Sequence, residues 1–436
     1  MRLNTLILGL CTASALAFAA HAETITIATV NNGDMIRMQK LTDDFTAKNP
    51  DIQLEWVTLE ENVLRERVTT DIATKGGQYD VMTIGTYEVP IWAKQDWLLP
   101  LDNLGADYDT ADIIPAIAGG LSVDGKLYAA PFYGESSFIM YRKDLFQKSG
   151  LTMPDAPTWD FVAEAARKIK ADNPDVNGIC LRGKAGWGEN MAFLTATSNA
   201  FGARWFDENW NPQFDQPEWK NTLDFYVKLM NDAGPQGASS NGFNENLALF
   251  QQGKCGMWID ATVAASFVSD PKDSTVADKV GYALAPDTGL GKRGNWLWAW
   301  SLAVPAGTQK AEAAEKFVSW ATSKDYLNLV ASKEGWANVP PGTRTSLYEN
   351  PEYQKAAPFA KMTLDSINSA DPTHPTVKPV PYVGVQFVAI PEFQGLGTTV
   401  GQLFSAALAG QMSVDDALKQ AQDAATATMT ESGYIQ

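Results

Sequence analysis

The 436-residue chain has almost no histidine and little cysteine: two histidines, His21 and His374, and three cysteines, Cys11, Cys180 and Cys255. His21 and Cys11 lie in the opening stretch MRLNTLILGLCTASALAFAAHA. One early positive charge at Arg2, an apolar run and the triplet Ala20-His21-Ala22 make this the pattern of a secretory signal peptide, cut before Glu23. The leucine before Cys11 is too bulky for lipoprotein processing, so a soluble exported chain is expected. Beyond the leader only His374 remains, in the Pro-rich DPTHPTVKPVP. That excludes a histidine-based metal site and a zinc-type cysteine cluster, and no cofactor is implied. A Ser-His-Asp triad would have to use what reads as a solvated loop histidine. In an oxidising compartment Cys180 and Cys255 either bridge neighbouring strands or stay as two buried thiols.

Positive charge is also short. Lys and Arg number 34 against 51 Asp and Glu, for a formal net charge of −17, which disfavours a nucleic-acid or anionic-membrane partner. Past the leader no apolar stretch approaches the roughly 18 to 20 residues that span a bilayer. The chain is too long for one compact core, so two domains are expected.

What is present is an alternation of strands and amphipathic helices. TITIATV, the turn NNGD and MIRMQKLTDDFTAKNP read as strand, turn and helix; IQLEWV and a helix with Leu64, Val68 and Ile72 at fourfold spacing follow, stopping at Gly76-Gly77; YDVMTIG is a third strand. This spacing implies an α/β fold with a parallel sheet and helices on both faces. Ligands collect at the carboxyl ends of such strands, here Asn31 to Asp34, Glu60 to Arg65, and Gly85 to Glu88. The alternation resumes through TWDFVAEAARKIKADNP, strand NGICLRG, helix PEWKNTLDFYVKLMND and strand GKCGMWIDA, and ends in the capped helix SVDDALKQAQ. In GNWLWAWSLAVP, Trp296, Trp298 and Trp300 fall at alternate positions, which on a strand puts three indoles on one face.

The order of these parts resembles the extracellular solute-binding proteins of carbohydrate ABC importers, the group typified by maltose-binding protein. The stretches that carry it are the N-terminal strand-turn-helix, YDVMTIG, GKLYAAPFYGESSFIMYRKDLF, PDAPTWDFVAEAARKI, ALFQQGKCGMWIDATV, SLAVPAGTQKAEAAEKFVSWATSKD and SVDDALKQAQ. Within the group, GTYEVPIWAKQDWLLPLD and NWLWAWSLAVP resemble the sorbitol- and mannitol-binding branch. The resemblance implies a two-lobed periplasmic-binding-protein fold, doubly wound sheets joined by hinge crossovers near Tyr133 to Ser137, Gly294 to Trp298 and Arg344 to Ser346. Residues 1–22 would be the leader, 23–134 with 297–344 the N-terminal lobe, and 135–296 with 345–436 the C-terminal lobe. It further implies a periplasmic monomer that captures a polyol and hands it to the transmembrane subunits of a permease, without catalysis. A mono- or oligosaccharide is the alternative ligand. A secreted glycosidase using a carboxylate pair such as Glu88 and Glu135 is the alternative of another class.

A polyol needs paired hydrogen-bonding groups for its hydroxyls and aromatic faces for its C–H flanks. With the hinge placed by resemblance, Trp296 and Trp298 become ligand platforms and Trp300 is assigned to the core; Trp187, in KAGWGEN, stacks from the second lobe with Lys184 beside it. Trp258 reads equally as packing. Asn31, Asn32 and Asp34 sit at the first strand-to-helix turn, Asp34 with helix capping as its rival role. Arg65 is a ligand contact by resemblance, against a surface ion pair within LRER. Thr86, Tyr87 and Glu88 end the third strand. Glu135 reaches the ligand from the first crossover, Asp260 either does so or caps a helix, and Arg344 sits at the third crossover.

Overall fold

A computed structural model describes residues 22–436; the expected leader, with Cys11 and His21, lies outside the described residues apart from Ala22. The described chain enters as β1 (Glu23–Val30) and builds outward with β2 (Ile52–Leu59) and β3 (Val81–Ile84), both parallel to β1. Between them run α1 (Gly33–Lys40) and α2 (Glu61–Thr74). The Asn32 side chain caps α1, accepting from the Met35 N–H at 3.1 Å, and Glu60 caps α2 through the Asn62 and Val63 N–H groups. Leu64, Val68 and Ile72 are buried, and α2 stops at Lys75 in left-handed geometry, φ 53°, before Gly77 at φ 66°.

Two further strands complete this sheet. β4 (Ala129–Glu135) forms its edge, and β8 (Trp298–Ala303) inserts antiparallel between β3 and β4, giving the order β2-β1-β3-β8-β4. From the end of β4 the chain crosses at Ser136 into β5 (Ser137–Arg142), the centre of a second sheet with β6 (Met257–Ala261) and β7 (Val280–Leu284) in the order β6-β5-β7. It returns to the first sheet through Gly294 to Leu297. The two sheets are thus joined where Glu135 pairs with Trp298.

The second sheet differs from the simple parallel alternation expected of the sequence. Its three strands pair antiparallel, and NGICLRG contributes only isolated parallel bridges, Asn177 to Cys255 and Cys180 to Trp258, along the outer side of β6. Gly178 lets this segment press on a helix: a Cβ there would lie 1.9 Å from the Ala166 carbonyl oxygen. Cys180 and Cys255 form a disulfide with Cα atoms 5.9 Å apart, so of the two roles open to them the bridge is the one observed. Closing a loop of 75 residues contributes about 4 kcal/mol in the chain-entropy account. The expected strand through all three hinge tryptophans begins only at Trp298, Trp296 preceding it in an irregular segment. Phe393–Leu408 and Val414–Glu431 close the chain as packed helices, the latter capped by Ser413. Among the described residues no helix is long and apolar enough to cross a membrane.

Candidate functional site

Two adjoining cavities, of about 60 Å³ and about 40 Å³, lie between the sheets and share Glu61, Glu135, Arg182 and Trp300 in their walls. Asn31 and Asn32 supply one end from the β1–α1 turn, and the Asn32 amide donates to the Tyr133 hydroxyl at 2.8 Å. The cleft is shut at its rim by contacts between lobes. Lys184 reaches Glu60 at 2.5 Å, the Asn62 amide donates to the Ala185 carbonyl at 3.1 Å, and the Asn244 amide to the Asn31 carbonyl at 3.0 Å.

On the N-terminal side the first turns of α2 present Arg65 inward, 4% exposed. Its guanidinium donates to Glu88 at 2.6 Å and, through Nε and Nη2, to Glu61 at 3.1 and 2.9 Å. The ion pair is therefore buried, not the surface pair that LRER allowed. Three indoles surround it, with Trp187, Trp300 and Trp298 ring centres 4.0, 4.6 and 4.9 Å from its central carbon. Of its five N–H donors, three are spent on carboxylates and two remain.

The C-terminal side repeats the device with Arg182, a residue the sequence reading missed. Asp260 holds it in a fork, Nε to Oδ2 at 2.9 Å and Nη2 to Oδ1 at 2.6 Å, and Nη1 donates to the Gly188 carbonyl at 2.9 Å. The only sequence signal was a charged residue closing the apolar run GICL. Arg182 lines both cavities, as does Glu135, whose carboxyl burial pushes up to about 8; Arg182 opposes the rise, and the Asp260 and Glu61 charges add to it.

The Trp296, Trp298 and Trp300 rings are all at most 5% exposed and all line the smaller cavity. Trp300 also walls the larger one, so its assignment to the core is corrected: it faces the cleft as fully as its neighbours. Gly85 makes room for Trp298, since a Cβ there would lie 1.9 Å from the indole. Trp187 joins them from the other lobe, its indole N–H buried without a protein partner.

Other expected contacts lie elsewhere. Glu88 is 1% exposed with both oxygens engaged, one by Arg65 and one by the Gly85 N–H at 2.9 Å, so it positions Arg65 and lines neither cavity. Asp260 is fully buried and takes the Trp258 indole N–H and the Ala261 N–H besides Arg182; it is an anchor and caps no helix. Trp258 itself packs between Phe243 and Phe250. Tyr87 donates to the Ile390 carbonyl at 3.0 Å and packs on Trp187, behind the cavities. Thr86 lines a different cavity, on the far side of the hinge. Asp34 turns to Arg37 at 2.6 Å and neither caps α1 nor faces the cleft. Arg344 is spent on the Asp109 and Thr322 carbonyls at 2.9 and 3.1 Å beneath Tyr108, remote from both cavities. Glu61 and Glu189 complete the charged lining; Glu61 lies in the Glu60 to Arg65 strand end without having been singled out, its one further signal being its place as the i−4 partner of Arg65, and no sequence signal marked Glu189. His374 stands on an exposed loop beside Asp371.

Two α/β lobes closing on a cleft lined by paired charges and indoles define a solute-binding protein. Residues 32–327 match the model for bacterial extracellular solute-binding proteins, and the chain belongs to that family. It is 58% identical to a mannitol-binding protein of Pseudomonas aeruginosa over 416 residues, 95% of each chain. A crystal structure of an ABC transporter solute-binding protein from Agrobacterium vitis S4 with bound D-mannitol superposes with TM-score 0.94 at 76% identity, covering 95% of this chain and 100% of that one. A ribitol complex from Agrobacterium radiobacter K84 shares the fold, with TM-score 0.82 at 24% identity, covering 93% and 98%.

Proposed function

We propose that the chain is the periplasmic receptor of an ABC importer for a hexitol, with D-mannitol as its ligand, and that it delivers the closed complex to the transmembrane subunits of a permease. The observation that carries this is the meeting of Glu135, Arg182 and Glu61 with Trp300 where the two cavities join. Hydrogen-bonding groups with donors and acceptors to spare alternate there with indole faces, as a chain of hydroxyls with C–H flanks requires. The relatives that bind mannitol, at 58% and 76% identity, support the same ligand. We assign direct contact to Asn31, Asn32, Arg65, Glu61, Glu135, Arg182, Trp187, Trp296, Trp298 and Trp300, with Lys184 at the rim, where it holds Glu60. The lobes are taken as 23–134 with 297–344, and 135–296 with 345–436.

Glu88, committed to Arg65 and Gly85, is not free to pair with Glu135 in a glycosidase. Calorimetric titration of the mature chain with D-mannitol, D-sorbitol, ribitol and maltose tests the reading. One mannitol bound per chain and recovered unchanged is expected; maltose binding in preference to every polyol would overturn it.

A further inference from the structure

A cavity much larger than the two in the cleft lies outside it. It has a volume of about 660 Å³, within the range of small-molecule sites, and lies behind the hinge. Thr86, Pro90, Ile91, Ala116 and Gly120 wall it from the first lobe; Trp210, Tyr382, Val385, Phe387, Ile390 and Tyr434 wall it from the second. These walls lack the paired polar groups a polyol needs. Two features nevertheless mark it as more than a gap. Lys94, exposed at the rim, is the only charged residue in the lining, in a chain whose formal charge is −17. Thr86, 7% exposed, lines the cavity with its hydroxyl buried and unpartnered.

The hinge segment separates this cavity from the cleft. Trp296 and Trp298 line the front, while Leu297 between them lines the back. Gln386 lines the front and binds both backbone groups of Leu297, its amide donating to the Leu297 carbonyl at 2.8 Å; the next residue, Phe387, lines the back and packs on Trp298 at 6.0 Å. Walls drawn from both lobes on the far side of a hinge must part or approach as the front closes or opens.

We propose that this cavity is a second ligand site, for a small amphipathic carboxylate whose apolar body fills the aromatic and aliphatic interior and whose charge meets Lys94, with occupancy coupled to closure of the cleft. The charge complementarity selects a carboxylate over a neutral apolar molecule, and the volume of about 660 Å³ suits a small molecule. The coupling, unlike the site, rests on the mannitol reading.

Octanoate serves as the probe, titrated calorimetrically into the mature chain with and without saturating D-mannitol. One octanoate per chain is expected, bound severalfold more tightly with mannitol present, and mannitol correspondingly more tightly with octanoate, since coupling between two sites is reciprocal. Lys94→Gln should weaken octanoate roughly threefold to fivefold, the scale of an exposed ion pair. Ala389→Trp, which sets an indole into the cavity, should weaken octanoate binding at least tenfold and leave mannitol affinity in the absence of octanoate within a few fold. Absence of saturable octanoate binding, binding unchanged in Lys94→Gln, or octan-1-ol binding as tightly as octanoate each overturns the site. Octanoate bound with the same affinity whether or not mannitol is bound overturns the coupling. Failure of mannitol alone would overturn the proposed function and leave the octanoate titration of the unliganded chain to decide the site.

Discussion

The two walls of the cleft each present a buried arginine, but they hold it differently. Arg65 leans on Glu61, one turn back on its own helix, and on Glu88, and three indoles cover its remaining faces. Arg182 depends on one carboxylate, Asp260, brought from 78 positions away and itself fully buried, while Glu189 stays back at 3.7 Å. The first arrangement is redundant and partly local; the second is a single long-range fork. Loss of one partner should therefore be tolerated on one wall and not on the other. Asp260→Ala leaves a guanidinium buried with no carboxylate in hydrogen-bonding contact, a change that costs about 3 to 5 kcal/mol of folding stability. Glu88→Ala leaves Arg65 paired with Glu61 and should cost about 1 to 3 kcal/mol. Urea unfolding of both variants makes the comparison, and Arg182→Met in the Asp260→Ala background should recover much of the loss. Equal costs would mean that the two arginines are held alike.

The next contrast is between Trp187 and Trp300. Trp300 stands on β8 and belongs to the first sheet in any position of the lobes, whereas Trp187 reaches Arg65 from the opposite lobe, 4.0 Å away, and meets it only when the cleft is shut. Trp187→Ala should weaken mannitol binding by about 1 to 3 kcal/mol and change the melting temperature of the unliganded protein little. Trp300→Ala should weaken binding similarly and also destabilise the unliganded fold by about 3 to 5 kcal/mol, since its ring is 5% exposed. If Trp187→Ala costs as much unliganded stability as Trp300→Ala, the lobes remain shut without ligand.

Two buried carboxyls, Glu135 in the cleft wall and Asp34 outside the cleft, give a pH test of smaller size. Burial raises Glu135 to about 8 from the ordinary 4.5, and raises Asp34 to about 6 from 3.8. In the unfolded chain these groups release their protons first, so between about pH 4.5 and 8 the native state binds more protons. The stability they contribute is whole below about pH 4.5 and is lost as pH rises through the native values. Glu135→Gln should flatten the decline in melting temperature between pH 6 and 8, leaving the part below pH 6 to Asp34. A decline of unchanged slope in that variant would place the titration elsewhere.

Much of the first lobe was legible because it is periodic. Strands of β-branched residues, helices with fourfold apolar spacing and the stops at Asn49-Pro50 and Gly76-Gly77 are local signals, and β1 to β3 followed them. The second sheet was less so: whether strands pair parallel or antiparallel is set by crossovers tens of residues apart, and NGICLRG looks like a strand although only scattered bridges join it to β6. The site divided the same way. The ends of β1 and β2 border the cleft cavities and the end of β3 does not, and which carboxylate lines a cavity and which faces an arginine depends on partners invisible in the chain. Glu88 and Asp260, taken for contacts, are the anchors, and Arg182, which Asp260 holds, was overlooked.

The smallest expected effect is at Lys184, and it separates a rim contact from a ligand contact. Its ammonium bridges the lobes to Glu60 at 2.5 Å, with side chains 28% and 39% exposed, and stands 3.6 Å from Glu189. A pair this open to water contributes at most about 1 kcal/mol and is screened by salt. Because it exists only between closed lobes, its contribution falls on the closed state, and its loss should appear in the dissociation rate. Lys184→Met should therefore speed mannitol release roughly fivefold or less in stopped-flow displacement at low ionic strength, and the difference should vanish in about 1 M salt. A lysine hydrogen-bonded to the polyol inside the cleft would behave otherwise. Its removal would speed release as much at high salt as at low, the affinity would fall by tenfold or more, and Glu60→Gln would fail to reproduce it. Parallel behaviour of Lys184→Met and Glu60→Gln, both lost in salt, assigns Lys184 to the rim.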